Sequence, residues 1–145
     1  MYRPMLAMKG PESILDSEEY LFEPKLDGTR ALCYRDEGIR LINRRGNDIT
    51  HRYPEFQFQG NLGCDSCVLD GEVIVYDGEG NPSFSLLQRR EHAPERKVDS
   101  KSRRYPATYV VFDILERDGR SLLSLPLEGR KEELCLVVEE GHGCS

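Results

Sequence analysis

The stretch Lys25–Arg30, Lys-Leu-Asp-Gly-Thr-Arg, places an amine, an acid, a glycine and a guanidinium within six residues. A lysine amine can attack a phosphorus atom when it is neutral and held beside a polyphosphate. Arg30 offers a planar fork of donors to phosphate or ribose oxygens, and Gly28 lets the backbone turn sharply or approach a ligand closely. The grouping indicates covalent chemistry on a phosphate. The alternative is a hairpin loop with a surface Lys25–Asp27 pair that stabilises by less than ~1 kcal/mol.

Two later segments carry residue types that suit a nucleotide. Leu69–Val73 contains Asp-Gly-Glu, and Tyr109–Leu115 is an apolar run that includes Phe112. Each has a simpler explanation when taken alone. The Asp-Gly pair could be a turn that leaves Glu72 facing solvent, and Phe112 could be a core residue. Arg44, beside a second arginine, could be the solvated end of a hairpin.

These residues must be positioned by elements that the pattern predicts to be mostly strands. Apolar runs predict strands at 20–23, 31–34, 39–42, 68–76 and 107–115. Turns are predicted at 36–38, with Gly38 at a positive φ, and at 77–82 and 116–119. Helical spacing predicts helices at 84–90 and 128–140, and the tail 139–145 is expected to be frayed. Without β-α-β alternation, the fold class is α+β, with mostly antiparallel sheet and flanking helices.

Composition narrows the class of protein. The 145 residues are 38% hydrophobic and 32% charged, which predicts one domain, or part of one, with a modest core. No apolar run is long enough for a membrane span and no signal region opens the chain, so we expect a cytoplasmic protein without membrane contact. The net charge of −6 argues against clamping duplex DNA by bulk electrostatics. Arg89–Arg104 differs, with seven cations and three acids. It is either a mobile solvated loop or a phosphate-backbone contact.

The five cysteines show no disulfide-scaffold spacing. Cys64 and Cys67 form a single C-x-x-C, and zinc would need two further ligands from scattered candidates. A surface loop with reduced thiols is therefore the favoured interpretation, with a metal or redox role as the alternative.

Taken in order, the motifs resemble those of the covalent nucleotidyltransferases: ATP-dependent DNA ligases, RNA ligases and mRNA capping enzymes. Lys25–Arg30 is similar to their nucleotidyl-acceptor motif, Lys-x-Asp-Gly-x-Arg. Three further motifs follow in family order, at Asn43–Gly46, Leu69–Glu72 and Tyr109–Asp113. Within this superfamily, segment 84–90 resembles a stretch common in DNA ligases, and segments 3–7 and 23–25 are most similar to the ligase domain of bacterial and archaeal end-joining ligases.

The resemblance implies an ATP-grasp-like nucleotidyltransferase fold and a role for each matching residue. Lys25 is the catalytic residue, which attacks the α-phosphate of ATP, expels pyrophosphate and becomes a lysyl-adenylate. Phe112 stacks on adenine, and Glu72 binds a ribose hydroxyl and helps to orient a metal. The remaining nucleotide-binding residues are Glu23 at the adenine amino group, Asp27 and Gly28 beside the amine, Arg30 at the ribose and Arg44 at a phosphate.

The implied cofactors are ATP and Mg²⁺, which neutralises the leaving pyrophosphate. The implied partner is nicked duplex DNA, whose 5′-phosphate accepts the adenylate before the 3′-hydroxyl displaces AMP. Two other functions remain open. One is an RNA ligase or capping-type nucleotidyltransferase. The other is a non-catalytic fragment that binds nucleotides or docks a partner.

The sequence departs from the family at its end. The later Glu-Gly-x-Val-x-Lys and Lys-x-Lys motifs are not found, and no lysine follows Lys131. Residues 1–145 are therefore predicted to be the N-terminal part of the adenylation domain, truncated or separated from a C-terminal half, without an oligonucleotide-binding-fold domain. Without those cations the Lys25 amine keeps its ordinary pKa of about 10.4. The chain alone is predicted to retain ATP or AMP affinity but not to seal nicks, and the edges of an incomplete sheet favour a dimer.

Overall fold

The structure is a computed structural model that describes residues 2–5, 27–58 and 63–142, without the side chains of 58 and 138–142. The predicted nucleophile Lys25, the predicted adenine contact Glu23 and the strand predicted at 20–23 lie outside the described residues.

The described strands form one sheet in which every neighbouring pair is antiparallel. They are β1 (Thr29–Arg35), β2 (Ile39–Asn43), β3 (Cys67–Val75), β4 (Ala107–Arg117) and β5 (Arg120–Ser121). Their spatial order is β2-β1-β3-β4-β5. The predicted α+β class with antiparallel sheet is confirmed, as are the strands predicted at 31–34, 39–42, 68–76 and 107–115.

The β1–β2 hairpin closes differently from the prediction for Gly38. Positive φ angles occur at Gly46, Gly80, Gly119 and Asp118, and not at Gly38. The Asp36 carboxylate accepts a hydrogen bond from the Gly38 N–H at 3.2 Å, and the Asp36 N–H donates to the Gly38 carbonyl at 3.1 Å. These local bonds hold the turn without a left-handed residue at its end.

Helices cover one side of the sheet. They are α1 (Phe84–Glu91), α2 (Val98–Arg104) and α3 (Leu127–His142), with short 3₁₀ helices at Thr50–Arg52, Pro54–Phe58 and Glu95–Lys97. The two predicted helices correspond to α1 and α3. Helix α1 begins after Ser83, whose hydroxyl accepts a hydrogen bond from the Leu86 N–H.

Two boundary predictions were wrong. Helix α3 continues to His142, so the expectation of a frayed tail fails for 139–142, while 143–145 lie outside the described residues. Strand β4 runs to Arg117, which confines the following turn to Asp118 and Gly119. Of the two alternatives left open for Arg89–Arg104, the loop does not describe its backbone, since the segment comprises the end of α1, a 3₁₀ turn and α2.

The two faces of the sheet differ in chemistry. One face is apolar and packs against α1 and α3, through residues such as Ala31, Leu69, Val73, Leu87 and Val137. The opposite face carries a smaller cluster made of Leu32, Val68 and Leu115, with Tyr2 and Tyr34 packed against it. Because successive side chains of a strand alternate between faces, the strands that bury the core send their intervening residues to this second face. None of the described helices is both long and apolar enough to cross a membrane.

Candidate active site

Arg30 forms the centre of a polar group on the second face of the sheet. It lies opposite Glu72 in the β1–β3 register and reaches the diagonal neighbour Asp70 with a two-pronged hydrogen bond. Its Nε and one terminal nitrogen donate to the two Asp70 carboxylate oxygens at 2.7 and 2.6 Å. The Asp70 side chain is 4% exposed and that of Arg30 is 22% exposed. The hydrogen bond to Asp70 is the main cause that raises the pKa of Arg30.

Phe112 joins this group through an irregularity in strand β4. Asp70 pairs with Asp113 while the next residue, Gly71, pairs with Val111, so Phe112 is the extra residue of a bulge. The Arg30 guanidinium carbon lies 4.8 Å from the centre of the Phe112 ring. A cation at this distance is attracted by the electron-rich ring face. Phe112 thus stands in the polar group and is only partly buried.

Glu72 presents an acceptor that has no donor. Its Oε2 atom is buried and has no hydrogen-bond partner among the described residues. Burial is the main cause that raises the pKa of this carboxyl, and the nearby Asp27 charge adds to the rise. The Arg30 charge and a hydrogen bond from the Gly28 backbone act in the opposite direction. An unpaired buried acceptor is costly, and a hydroxyl donor of a ligand would satisfy it.

The two glycines beside the site are required by close backbone approach. A Cβ on Gly28 would lie 2.2 Å from the Val73 carbonyl oxygen, so the chain entering β1 rests directly on β3. Sequence reasoning assigned Gly28 to a turn or to ligand approach. In the structure its contact is with a strand, and its φ is not positive. A Cβ on Gly71 would lie 2.4 Å from the Val110 carbonyl oxygen.

Tyr109 fills the space that Gly71 leaves on the core face. A Gly71 Cβ would also lie 2.8 Å from the ring carbon that bears the Tyr109 hydroxyl. That hydroxyl donates to the carbonyl oxygens of Ala31 at 2.8 Å and Leu69 at 3.3 Å. One side chain of β4 therefore ties the backbones of β1 and β3 together directly behind Arg30 and Asp70.

The start of α3 holds the bulge from the other side. Arg130 donates through Nε to Asp113 at 2.8 Å and through a terminal nitrogen to the Leu125 carbonyl at 2.7 Å. Lys131 donates to the backbone carbonyl of Phe112. These contacts fix the backbone that carries the Phe112 ring. Sequence reasoning missed them, because they join α3 to a bulge that no local pattern reveals.

Comparison with known proteins decides the family. The family model for the ATP-dependent DNA ligase domain matches residues 4–144. The chain belongs to the ATP-dependent DNA ligase domain family. The resemblance inferred from the four motifs is thereby confirmed, and DNA ligases are favoured over RNA ligases, capping enzymes and non-catalytic modules.

The relatives of this ligase-family chain include end-joining proteins. It is 37% identical over 133 residues to the multifunctional non-homologous end joining DNA repair protein LigD of Mycobacterium tuberculosis, covering 90% of this chain and 16% of that protein. It is 33% identical over 147 residues to DNA ligase C1 of Mycolicibacterium smegmatis, covering 97% and 42%. The chain thus spans less than half the length of these relatives.

Two solved structures share the fold of this ligase-family chain. Mycobacterial DNA ligase D complexed with ATP and MES superposes with a TM-score of 0.60 at 31% identity, over 77% of this chain and 34% of that one. The ligase domain of M. tuberculosis LigD gives a TM-score of 0.59 at 33% identity, with the same coverage.

Not every predicted ligase residue joins the polar group. The structure brings together Asp27, Gly28, Arg30, Glu72 and Phe112, and it adds Asp70, which the sequence reasoning had treated as part of a turn. Arg44 lies in an exposed turn directly after Asn43, which pairs with Ala31. Within the described ranges Arg44 shares no hydrogen bond or ion pair with that group. The turn is held by Asn43, whose side-chain oxygen accepts from the N–H groups of Arg45 and Asn47.

The cysteine pair gives no metal site in the described part of this ligase-family chain. No group of three or more His, Cys, Asp or Glu residues there could hold a metal ion. The prediction of a surface loop is wrong for Cys67, which begins β3 and is buried, whereas Cys64 is half-buried. Burial is the main cause that raises the pKa of both thiols, and it raises that of Cys33 to about 11. Such thiols are poor nucleophiles near neutral pH.

Proposed function

We propose that this chain is the nucleotide-binding part of the adenylation domain of an ATP-dependent DNA ligase acting on nicked duplex DNA in the cytoplasm. The observation that carries the proposal is the buried Oε2 atom of Glu72, which has no hydrogen-bond partner among residues 2–5, 27–58 and 63–142, beside Arg30 and Phe112, at positions that match the motifs of the family. A ribose hydroxyl is the donor that this buried acceptor lacks. Residues 1–145 are proposed to be the N-terminal part of that domain.

Each residue of the polar group has a distinct task. Arg30 donates to Asp70 from one edge of its guanidinium, so its remaining N–H groups can donate to ribose oxygens. Phe112 offers its ring to the adenine base, since aromatic rings stack on flat π-systems. Glu72 accepts from a ribose hydroxyl, and Asp27 and Gly28 hold the chain that leads to Lys25. Arg44 is proposed to meet a phosphate from its exposed turn.

Lys25 is proposed as the nucleophile. Its amine attacks the α-phosphate of ATP, a P–N bond forms, and pyrophosphate leaves with the electron pair of the broken P–O bond. The amine must first be neutral, so a proton has to leave it before attack. Glu23 is proposed to contact the adenine amino group.

Mg²⁺ is proposed to neutralise the leaving pyrophosphate. Glu72 supplies the hard carboxylate oxygen that this ion prefers. Mg²⁺ keeps several waters and binds through one or two carboxylates together with substrate phosphates.

Nucleotide binding is tested by titrating the 145-residue chain with AMP and GMP in a calorimeter. We expect AMP to bind more tightly than GMP, and we expect Glu72→Ala to weaken AMP binding. A matched control is Glu116→Ala, which removes another partly buried strand carboxylate, one that accepts from Tyr2 on the same face. Equal affinity for AMP and GMP, or equal loss in both variants, would contradict the proposed site.

The role of Lys25 is tested by incubation with ATP labelled at the α-phosphate and with Mg²⁺, followed by denaturation. We expect a covalent label from ATP but not from GTP, and its rate should rise between about pH 7 and pH 9 as more of the amine becomes neutral. Lys25→Arg keeps the charge but should lose the label. A label that persists in Lys25→Arg, or its absence from the unmodified chain at every pH, would remove the assignment.

A further inference from the structure

The charges of Arg89–Arg104 are sorted onto different sides of the α1–α2 unit. The three acids of this segment, Glu91, Glu95 and Asp99, all line one cleft together with His51 and Arg52. None of the lysines and arginines of Arg89–Arg104 lines this cleft, so within the segment the acids are separated from the bases.

On another side, three cations converge on one aromatic ring. The charged groups of Arg104, Lys101 and Arg89 lie 5.2, 5.6 and 5.8 Å from the centre of the Tyr105 ring. Arg89 also donates a hydrogen bond to the Tyr105 hydroxyl at 3.1 Å. We call these four residues the Tyr105 cluster. Each exposed cation–ring contact stabilises by only about 0.5–1 kcal/mol. These contacts alone therefore give little stability in exchange for the repulsion between three like charges.

The charge of the Tyr105 cluster is not neutralised within the described ranges of the chain. None of its three cations forms an ion pair with a described carboxylate, whereas the arginines that line the core and the candidate active site do. Those pairs are Arg30 with Asp70, Arg90 with Glu55, Arg117 with Glu133, and Arg130 with Asp113. The net charge of the whole chain is −6, whereas the Tyr105 cluster carries a local positive charge.

The Tyr105 cluster rests on a rigid support. The buried Arg90 donates to the Tyr105 backbone carbonyl at 2.7 Å and forms a two-pronged pair with Glu55 at 2.6 and 2.8 Å. The Glu55 carboxylate accepts in turn from the Ala107 N–H at 2.9 Å. The backbone on both sides of Pro106 is therefore anchored to one buried ion pair. A cation cluster held in place before binding loses less entropy when it binds.

We propose that the Tyr105 cluster contacts the phosphate backbone of duplex DNA, outside the Arg30–Phe112 site. Two arginine forks and a lysine present donors that match phosphate oxygens, without any means of reading base sequence. The rest of the chain has a net negative charge, so a positive patch also orients the duplex. The choice of DNA among polyanions rests on the proposed function.

The test is a fluorescence-anisotropy titration of a labelled nicked duplex at salt concentrations between about 50 and 200 mM. The triple variant Arg89→Gln, Lys101→Gln, Arg104→Gln is compared with a matched variant, Arg3→Gln, Arg40→Gln, Arg120→Gln. Both lose three positive charges from exposed or half-buried side chains. We expect the first variant to lose about tenfold or more in affinity and about 2–3 units of the log–log salt slope, and the matched variant to keep its slope.

An equal loss of DNA affinity in both variants would overturn the proposal, since it would show that DNA binding depends only on the net charge of the chain. Unchanged binding in the first variant would overturn it as well, as would displacement of DNA by poly-glutamate at equal charge, which points to an acidic protein partner. Melting temperatures of both variants should match that of the unmodified chain. Covalent labelling by ATP is read on the same samples. If the unmodified chain gives no label with ATP but its DNA binding still depends on the Tyr105 cluster, the proposed nucleophile is refuted and the proposal for the Tyr105 cluster is not.

Discussion

Two arginine–carboxylate pairs in this molecule are both bidentate but lie in different surroundings. Arg90 is 1% exposed and donates four hydrogen bonds, two to Glu55 and two to the carbonyls of Arg52 and Tyr105. Arg30 is 22% exposed and donates two hydrogen bonds within the described residues, both to Asp70. Both guanidinium groups also stack on a ring, that of Tyr53 for Arg90 and that of Phe112 for Arg30.

The difference separates a structural pair from a binding pair. The Arg90 donors are used inside the protein, so this pair joins the 3₁₀ helices, α1 and the start of β4. Arg30 keeps N–H groups that are not used by Asp70, and it is paired in the strand register with Glu72, whose Oε2 atom has no donor among the described residues. A polar site left incomplete by the protein is one that a ligand can complete.

The largest expected effect is on Arg90. Arg90→Met should lower the free energy of unfolding by about 3–5 kcal/mol, because it leaves the partly buried Glu55 charge without a cation and with only the Ala107 N–H as a donor among the described residues. Urea unfolding followed by circular dichroism measures this. Arg89→Met, at the exposed neighbouring position, is the control and should change it by less than about 0.5 kcal/mol. A loss below about 1 kcal/mol in Arg90→Met would mean that the pair does not anchor the helices.

A smaller stability effect and a larger binding effect are expected at Arg30. Arg30→Lys keeps a charge beside Asp70 but removes the planar fork and the stack on Phe112. We expect AMP affinity to fall about tenfold, or ~1.4 kcal/mol, while the free energy of unfolding falls by ~1 kcal/mol. Calorimetry and urea unfolding measure the two quantities. Unchanged AMP affinity would show that Arg30, like Arg90, stabilises the fold and does not bind the nucleotide.

The ring beside Arg30 should matter less than its guanidinium. Phe112→Leu keeps an apolar side chain on the bulge but removes the flat surface for a base. AMP affinity should fall by about 0.5–1.5 kcal/mol, with little change in melting temperature because the ring is only partly buried. Tyr53→Leu, which removes the ring beside Arg90, should show the reverse, a lower melting temperature. If Phe112→Leu lowered stability as much as Tyr53→Leu, Phe112 would be a core residue.

The smallest expected effect is the pH dependence that Glu72 contributes. Its pKa is raised above the ordinary value of 4.5, so its stabilising contribution is complete below about pH 4 and is lost as pH rises through the raised value. Glu72→Gln should therefore raise the melting temperature at pH 7 by about 1–2 °C, and the difference should vanish near pH 4. Thermal unfolding at both pH values measures it. A lower melting temperature for Glu72→Gln at pH 7 would show that the carboxylate stabilises the fold.

Local patterns were sufficient for elements whose partners lie nearby in sequence. The β1–β2 hairpin, α1 and α3 follow from apolar spacing and turn residues within a few positions. Helix α2 was not predicted, because Val98 is its only buried residue and its apolar pattern is correspondingly weak. Its place depends on α1 and on the Arg90–Glu55 pair, which joins residues 35 positions apart.

The order and types of the motif residues predicted the ligase family, which the family model confirms. They also predicted most residues of the candidate site, because covalent phosphate chemistry needs particular side chains at short spacing. Tertiary structure alone decided the geometry. A bulge turned Phe112 toward Arg30, Tyr109 filled the space at Gly71, and a diagonal pairing made Asp70 the partner of Arg30. These outcomes depend on the register between strands about 40 residues apart in the chain. Register is set by packing of the whole sheet, which no local segment encodes.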